Sequence, residues 1–258
     1  WSTVVDATYN GPTVGFLRLA HAKTMDKPKD YNKETMEALA KRYKESAQAT
    51  NEARANNLTD STVVMILSES FSDPTRVPGV ELTEDPMPNI RALEGTTTSG
   101  LMLSPGIGGG TANIEHQALT GLSLALFDNS MQSPYQELVP HQKTPYTFNQ
   151  IWNDAYGKNG SVAFHPYFKN MYLRDSNYKK FGFSKLYSLD SDPAIEHQDH
   201  IDSSPYVSDA ASYQNVLDSI NDNDHAQFIQ LVTMQNHAPY NDFYADNQFK
   251  EADVSQLS

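Results

Sequence analysis

The stretch SPGIGGGTANIEHQALTG, which begins at Ser104, places three consecutive glycines directly before Thr111. Glycine loses more backbone entropy on folding than any other residue, so a triplet indicates unusual dihedral angles or a close approach to the backbone. The residues after Thr111 are typical of a helix, and a capping role would explain its hydroxyl but not the glycines. An exposed hydroxyl beside free backbone N–H groups is suited to attack phosphorus, because those groups can hold the phosphate oxygens.

Three other residues of catalytic type stand at the ends of apolar segments that we predict to be strands. Glu69 follows VVMILS, His165 ends SVAFH and His237 follows QLVTMQN. Ligands of open α/β sheets bind at the carboxyl ends of the strands, so we expect these side chains to share one site with Thr111. Each one alone could be an ordinary capping, packed or surface residue, but their joint placement favours a functional site.

Glu69 is predicted to be a metal ligand, because a carboxylate at the end of a buried strand has little water around it unless it pairs or binds a cation. Coordination of the same ion by Thr111 would remove the hydroxyl proton without a separate base. Arg174 lies in KNMYLRDSNYKKFGF, a basic and aromatic segment of an acidic chain. It could clamp a phosphate diester or form a surface salt bridge with Asp175.

Composition excludes several other classes of protein. The 258 residues include 32 acidic and 19 basic side chains, and the formal net charge of -13 argues against nucleic-acid binding and against a basic lipid-docking face. Cysteine is absent, which excludes disulfides, zinc–thiolate sites and the cysteine that most sulfatases convert to formylglycine. No GK[ST] follows GGGT and no G-x-S-x-G occurs, so neither an ATPase nor an acyl hydrolase is favoured.

Apolar periodicity predicts alternating helices and strands. The predicted helices are NKETMEALAKRYKESAQATNEA, a short one near Asn89, TANIEHQALTGLSLAL, TPYTFNQIWNDAY closed by Gly157 or Gly160, and SDAASYQNVLDSI with Ser208 as N-cap. The predicted strands are TVVMIL, buried on both faces, GTTTSGLMLSP, VAFH and QFIQLV. This alternation predicts an α/β fold with a mostly parallel central sheet and helices on both faces.

The chain divides into two predicted parts. Residues 1–58 are a linker or wrapping arm and a leading helix, and residues 1 to about 31 lack sustained periodicity; residues 59–258 form the catalytic domain. The longest apolar run, VVMIL, is far shorter than the roughly 20 residues that cross a bilayer. The chain begins at Trp1 rather than methionine, which indicates a domain cut from a longer protein.

Four segments in order resemble the lipoteichoic acid synthase group of phosphoglycerol transferases, within the alkaline phosphatase and sulfatase superfamily. They are SESFSDP, GGGTANIEHQALTG, VAFHPYFKNMYLRD followed by GFSKLY, and MQNHAPY. The resemblance runs from about NGPTVGFLRL to QNHAPY, most of the chain. It implies an alkaline phosphatase/sulfatase-like fold whose C-terminal part is missing from this sequence.

The resemblance also implies roles for the candidate residues. Glu69 and Thr111 would bind a divalent metal ion, Mn2+ or Mg2+, and Thr111 would be the nucleophile that takes glycerophosphate from phosphatidylglycerol. The residues that would surround the bound phosphoglycerol are His165, Tyr172, Arg174 and His237. The family often has tryptophan at the position of Tyr172, so this sequence departs from the family there.

The implied reaction is ping-pong. Diacylglycerol leaves, and a terminal glycerol hydroxyl of a lipoteichoic-acid-type polymer then attacks the phospho-threonine. The implied partners are phosphatidylglycerol and the glycerophosphate polymer. The domain would be a monomeric ectodomain on the extracellular face of a Gram-positive cell membrane, attached through membrane helices ahead of this segment.

The sequence departs from the family in its metal ligands. The family completes its site with an Asp-His pair after a later strand, and this chain ends at Ser258 before such a strand. The adjacent pairs Asp199-His200 and Asp224-His225 do not follow apolar strands, and we predict that both lie on the surface. Divalent ions take about six ligands, so two would bind weakly and the segment alone could be inactive.

Two alternatives stay open on the sequence. A hydrolase of the same superfamily, a phosphodiesterase or a sulfatase, would use water in place of the glycerol acceptor. The lack of a cysteine argues against a sulfatase of the common type. A non-catalytic domain would bind the glycerophosphate polymer without turnover.

Overall fold

The computed structural model describes residues 3–20, 23–68, 70–106 and 110–246. The four strands of the described part form one parallel sheet in the order β1-β4-β2-β3. Their bounds are Val63–Leu67 for β1, Ser161–His165 for β2, Lys185–Ser188 for β3 and Phe228–Val232 for β4. The α/β class and the parallel sheet are therefore confirmed.

The α-helices of the described part connect and cover these strands. Their bounds are α1 Thr3–Asn10, α2 Pro12–Ala20, α3 Lys33–Glu52, α4 Pro88–Glu94, α5 Thr111–Thr120, α6 Pro134–Glu137, α7 Gln150–Tyr156, α8 Arg174–Lys180 and α9 Asp209–Asn221. The predicted N-cap Ser208 accepts a hydrogen bond from the Ala211 amide, and Asn32 caps α3 in the same way. Gly157 closes α7 with a φ of 76°, as the sequence predicted.

The core lies on both faces of the sheet because β4 is buried along its whole length and its side chains alternate between the faces. Phe228 packs with Trp152 and other side chains on one face, whereas Ile229 and Leu231 pack with Val216 of α9 on the other. Helices cover both faces, as predicted. The strand register places Leu67 beside Val232 and Phe164 beside Leu231, so β1, β4 and β2 end at the same edge.

Three predictions about the central region were wrong. In the described part of GTTTSGLMLSP there is no strand, and Leu101, Met102 and Leu103 are exposed; alternation alone does not make a strand where no neighbouring strand supplies hydrogen bonds. TVVMIL does contain β1, but β1 lies at an edge of the described sheet and is half-buried. The helix in TANIEHQALTGLSLAL stops at Thr120, because Gly121 takes a left-handed φ of 73°.

The N-terminal residues hold more regular structure than their weak periodicity predicted. Residues 3–20 form α1 and α2, and the following segment contacts the main body where the Asp128 amide donates to the Thr24 carbonyl at 2.8 Å. The helix α3 buries none of its residues. Among the helices described, none combines the length with the apolar character that crossing a bilayer requires.

Candidate functional site

A cleft opens at the carboxyl edge of the sheet, where ligands of open α/β sheets bind. It is bounded by the ends of β1, β2 and β4, the start of α5 and the turn before α8. The residues that line it are Ser68, Ser70, Thr111, His165, Met171, Tyr172, Arg174, Val232, Thr233, Met234, Asn236 and His237. Five of the six site residues predicted from the sequence therefore meet in one cleft.

Glu69, the sixth, lies outside the described residues. Its sequence neighbours Ser68 and Ser70 both line the cleft. The proposed metal-binding role of Glu69 stays a prediction.

The glycine turn places Thr111 at the start of α5. Gly110 occupies the N-cap position with a φ of 90° and a ψ of 27°, a left-handed conformation that glycine adopts at little cost. Ile107, Gly108 and Gly109 lie outside the described residues. Since Gly110 is the N-cap, Thr111 is the first helical residue and not the cap, and it presents a half-buried side chain to the cleft at the positive end of the helix.

Arg174 forms a buried ion pair with Glu115, not the surface pair with Asp175 that was the alternative. Its Nε lies 3.2 and 3.1 Å from the two oxygens of Glu115, and its Nη2 also donates to that carboxylate. Burial alone would lower the pKa of Arg174, but the charge and hydrogen bonds of Glu115 outweigh it and the net shift is upward. Arg174 is therefore charged at any physiological pH.

Two tyrosines complete the surroundings of Glu115. The hydroxyl of Tyr135 donates to Glu115 Oε1 at 3.2 Å, and the hydroxyl of Tyr178 donates to the same oxygen. Burial raises the pKa of both tyrosines well above the ordinary value, and the negative charge of Glu115 adds to the effect. Both hydroxyls thus keep their protons and serve as donors.

His165 is buried between Arg174 and the end of β4. Its Nδ1 lies 3.2 Å from the Val232 carbonyl oxygen, and its Nε2 lies 3.1 Å from Arg174 Nη1. Burial lowers the pKa of His165 well below the ordinary value, and the positive charge of Arg174 lowers it further. The imidazole is therefore neutral.

Tyr172 covers the guanidinium of Arg174, with the ring centroid 5.3 Å from the Arg174 Cζ. Tyr172 and Leu173 both have positive φ angles, 54° and 60°. Such strained non-glycine residues persist only where the surroundings hold them, and they cluster at functional sites. Here the Asn177 side chain donates to the Tyr172 carbonyl at 3.2 Å.

His237 lies on the opposite, exposed wall of the cleft. Its Nδ1 is 2.6 Å from the Ala238 carbonyl oxygen, which can only accept, so Nδ1 carries a proton. The ring packs edge-on against Tyr206, with 5.5 Å between the centroids. Its Nε2 is the atom left to contact a ligand.

The two Asp-His pairs do not line the cleft. Asp199, His200 and Asp224 are exposed as predicted, whereas His225 is half-buried and stacks on Tyr156 at 4.8 Å. Neither pair supplies a metal ligand to this site.

The oxygen donors at the cleft are of the chemical type that a hard divalent cation binds. Thr111 offers a hydroxyl there, and Glu69 between Ser68 and Ser70 offers a carboxylate in sequence; Mg2+ and Mn2+ prefer such ligands. The two residues supply only part of the roughly six ligands that such an ion takes.

Sequence reasoning missed Glu115, Tyr135 and Tyr178, which are fully buried around Arg174. A signal for Glu115 was present. It follows Thr111 by four residues in a predicted helix, and side chains at that spacing lie on the same helix face. Tyr135 comes from another element and had no such signal. Tyr178 has the same spacing from Arg174 on α8, in a segment that carried no helix prediction.

Comparisons with known proteins agree with this geometry. A sequence-family model described as Sulfatase matches residues 61–256. The "Putative cyclic beta-1,2-glucan modification protein" of Rhizobium meliloti (strain 1021) is 35% identical over 196 residues, which are 75% of this chain and 28% of that protein.

Two solved structures are also similar. The Streptococcus pyogenes phosphoglycerol transferase GacH in complex with sn-glycerol-1-phosphate matches with a TM-score of 0.78 and 37% identity, over 86% of this chain and 56% of that chain. The lipoteichoic acid synthase LtaP from Listeria monocytogenes matches with a TM-score of 0.55 and 20% identity, over 70% of this chain and 42% of that chain. The second match supports the fold alone. The chain spans about a quarter to a little over half the length of these relatives.

Proposed function

Because the chain belongs to the sulfatase family, as its motifs predicted, we propose that it transfers phosphoglycerol, with Thr111 as the nucleophile. One observation carries the proposal. Thr111, the first residue of α5, and Arg174 line the same cleft. GacH, which is 37% identical, is a phosphoglycerol transferase with sn-glycerol-1-phosphate bound, and this likeness supports the same substrate class here.

The first covalent step uses phosphatidylglycerol as the donor. The Thr111 oxygen attacks phosphorus, a new P–O bond forms, and the bond between phosphorus and the diacylglycerol oxygen breaks. The threonine proton ends on the departing diacylglycerol. In the second step an acceptor hydroxyl oxygen bonds to phosphorus, the bond between phosphorus and the Thr111 oxygen breaks, and the acceptor proton ends on Thr111.

Glu69 and Thr111 are the residues that would hold a divalent cation, Mn2+ or Mg2+, in this proposal. When bound, such an ion lowers the pKa of the hydroxyl that it contacts and screens the phosphate charge. The positive end of the α5 helix dipole also favours a negative charge at this position.

The remaining candidate residues would bind the phosphoglycerol. Arg174 would donate hydrogen bonds to phosphate oxygens, which suits a planar guanidinium. Tyr172 would contact the glycerol while it covers the guanidinium, and His237 would approach from the exposed wall through Nε2. His165 completes the buried wall beside Arg174.

The acceptor in this proposal is a hydroxyl of a bacterial surface polymer. The terminal glycerol of a lipoteichoic-acid-type polymer is the first candidate. A sugar hydroxyl of a glycan is the second, because the relative from Rhizobium meliloti is named for the modification of a cyclic glucan. Since the donor is a membrane lipid, we place the domain at the extracellular face of the cell membrane, as a monomer.

The test replaces the proposed nucleophile in the presence of headgroup-labelled phosphatidylglycerol. Thr111→Ala should reduce transfer by about 10³-fold or more and should abolish a covalent glycerophosphoryl adduct on the protein, as detected by mass spectrometry. Thr111→Ser keeps a hydroxyl and should retain the adduct. Full transfer by Thr111→Ala would refute the nucleophile assignment.

Product analysis separates the candidate reactions. Label in a lipoteichoic-acid-type polymer supports the first acceptor, and label in a glucan supports the second. Label released as free glycerophosphate in the presence of both acceptors would instead indicate a hydrolase.

A further inference from the structure

Glu115 and His165 hold the guanidinium of Arg174 through its Nε, Nη2 and Nη1 atoms. Glu115 takes the Nε–H and one N–H of Nη2, and His165 lies 3.1 Å from Nη1. A guanidinium has five N–H groups and no acceptor. These contacts, with a further hydrogen bond from Arg174 to the Tyr178 hydroxyl oxygen, leave at least one N–H at the Nη1–Nη2 end. Because Arg174 lines the cleft, the Nη1–Nη2 end is the part of the guanidinium that can donate to a ligand there.

The contacts of His165 fix which of its nitrogens carries the proton. The Val232 carbonyl can only accept, so Nδ1 donates to it. Arg174 Nη1 can only donate, so Nε2 accepts from it. Both ring nitrogens are thus engaged with the protein, and no N–H of His165 is available to a phosphate.

Glu115 connects this arrangement to the helix of Thr111. The two residues are four positions apart on α5, and Glu115 is fully buried. Tyr135 and Tyr178 hold its carboxylate from α6 and α8. The orientation of the guanidinium relative to the start of α5 is therefore set by Glu115.

We infer that Glu115 and His165 are positioning residues that hold Arg174 so that the Nη1–Nη2 end of its guanidinium meets the phosphate oxygens of the substrate. Glu115 is not among the residues that line the cleft, and both ring nitrogens of His165 are engaged with the protein. This inference rests on the proposed function, since it takes phosphoglycerol as the ligand. Recognition depends on directed hydrogen bonds, because Glu115 compensates most of the charge of Arg174.

Glu115→Asp tests the position of the carboxylate while keeping its charge. We expect sn-glycerol 1-phosphate to bind the variant about tenfold more weakly in calorimetric titrations, because the shorter side chain draws the guanidinium away. Glu137→Asp is the matched control. Glu137 accepts from the amides of Gln132 and Ser133 away from the cleft, and its shortening should leave the affinity unchanged.

His165→Gln and His165→Leu test the second contact. Glutamine supplies an acceptor for Arg174 Nη1 and cannot titrate, so its affinity for sn-glycerol 1-phosphate should stay within about threefold of the wild type. Leucine supplies none and should bind about tenfold more weakly. Equal losses in the two variants would overturn the role of His165.

Nitrogen NMR of the unaltered protein gives a readout that does not depend on how the variants fold. We expect the Arg174 Nε–H to exchange slowly and His165 Nε2 to remain unprotonated before and after saturation with sn-glycerol 1-phosphate. A protonated Nε2 in the complex would overturn the inference. Wild-type binding that Glu115→Asp leaves unchanged or strengthens would overturn the inference alone, whereas no wild-type binding would also refute the proposed function.

Discussion

Two adjacent residues of α8 form ion pairs in opposite surroundings. Arg174 pairs with Glu115, and the side chains are 2% and 0% exposed; Asp175 pairs with Lys179, and the side chains are 43% and 73% exposed. The first pair joins two helices through several hydrogen bonds. The second is a single contact of 3.0 Å between positions i and i+4 of one helix.

The two ion pairs differ in what they can contribute to stability and to function. An exposed i,i+4 pair is screened by water and contributes only tenths of a kcal/mol. A buried pair is costly to desolvate, and a hydrophobic pair of similar volume is often at least as stable. The burial of Arg174 is therefore poorly explained by stability and better explained by the need for an oriented cation in the cleft.

Arg174→Met should have the largest effect on stability. It leaves Glu115 buried without its cation, and we expect the free energy of unfolding to fall by about 3–5 kcal/mol. Chemical denaturation measures this loss. A loss below about 1 kcal/mol would contradict the buried pair.

The double variant Arg174→Met/Glu115→Leu sharpens the comparison. With both charges removed, part of the stability should return, although Tyr135 and Tyr178 then lack the acceptor to which they donate. Binding of sn-glycerol 1-phosphate should be abolished. If binding returned together with stability, Arg174 would have only a structural role.

The next largest effect should come from lowering the pH, which should reduce the folding stability through the buried residue His116. Burial lowers the pKa of His116, beside Glu115 on α5, from 6.5 to about 4. The unfolded chain therefore takes up a proton below pH 6.5 that the folded protein does not. Above pH 6.5 His116 is neutral in both states and does not reduce the free energy of unfolding. Below pH 6.5 it reduces the free energy of unfolding, by about 3 kcal/mol as the pH approaches 4.

Unfolding by denaturant at several pH values measures this effect. His116→Leu cannot titrate at this position, so its stability should depend less steeply on pH between 6.5 and 4. His165 and the carboxyl groups titrate in both proteins and cancel in the comparison. Parallel pH profiles would contradict the burial of a neutral His116.

Tyr178→Phe should have a smaller effect. The change removes the hydroxyl that donates to Glu115 but keeps the ring packed on Phe181 and Phe183. Hydrogen bonds to charged groups contribute about 1.5–3 kcal/mol, and Tyr135 still donates to Glu115, so we expect a loss near the lower limit. Denaturation against the wild type checks it.

Lys179→Ala should have the smallest effect. The exposed pair with Asp175 contributes about 0.5 kcal/mol or less, and alanine is a good helix former. Thermal unfolding at low and high salt should show nearly the same midpoint for variant and wild type. A loss comparable to that of Arg174→Met would remove the contrast between the two faces of α8.

The sequence predicted the elements that carry strong local signals. Regular periodicity and a capping residue located α3 and α9, and a buried apolar run located β4. It predicted β1 as a strand but not its edge position, since a strand does not encode how many neighbours it has. The false strand at GTTTSGLMLSP has the same cause.

The candidate site, too, was only partly predictable from the sequence. Thr111, His165 and His237 could be found because glycines or strand ends mark them, and the structure brings them into one cleft with Tyr172 and Arg174. Glu69 lies outside the described residues, so its place in the site is still a prediction. The ion-pair partner of Arg174 could not be found from neighbouring residues, because Glu115 lies 59 positions away.

By itself the sequence determined the α/β class, the glycine turn before a helix and the residue types available for phosphate chemistry, because short-range periodicity and backbone sterics encode these features. Only the tertiary structure decided that Arg174 is buried, that Glu115 and His165 hold it, and that one wall of the cleft is packed while the other is exposed. Those features depend on contacts between distant segments, whose geometry arises when the helices pack on the sheet.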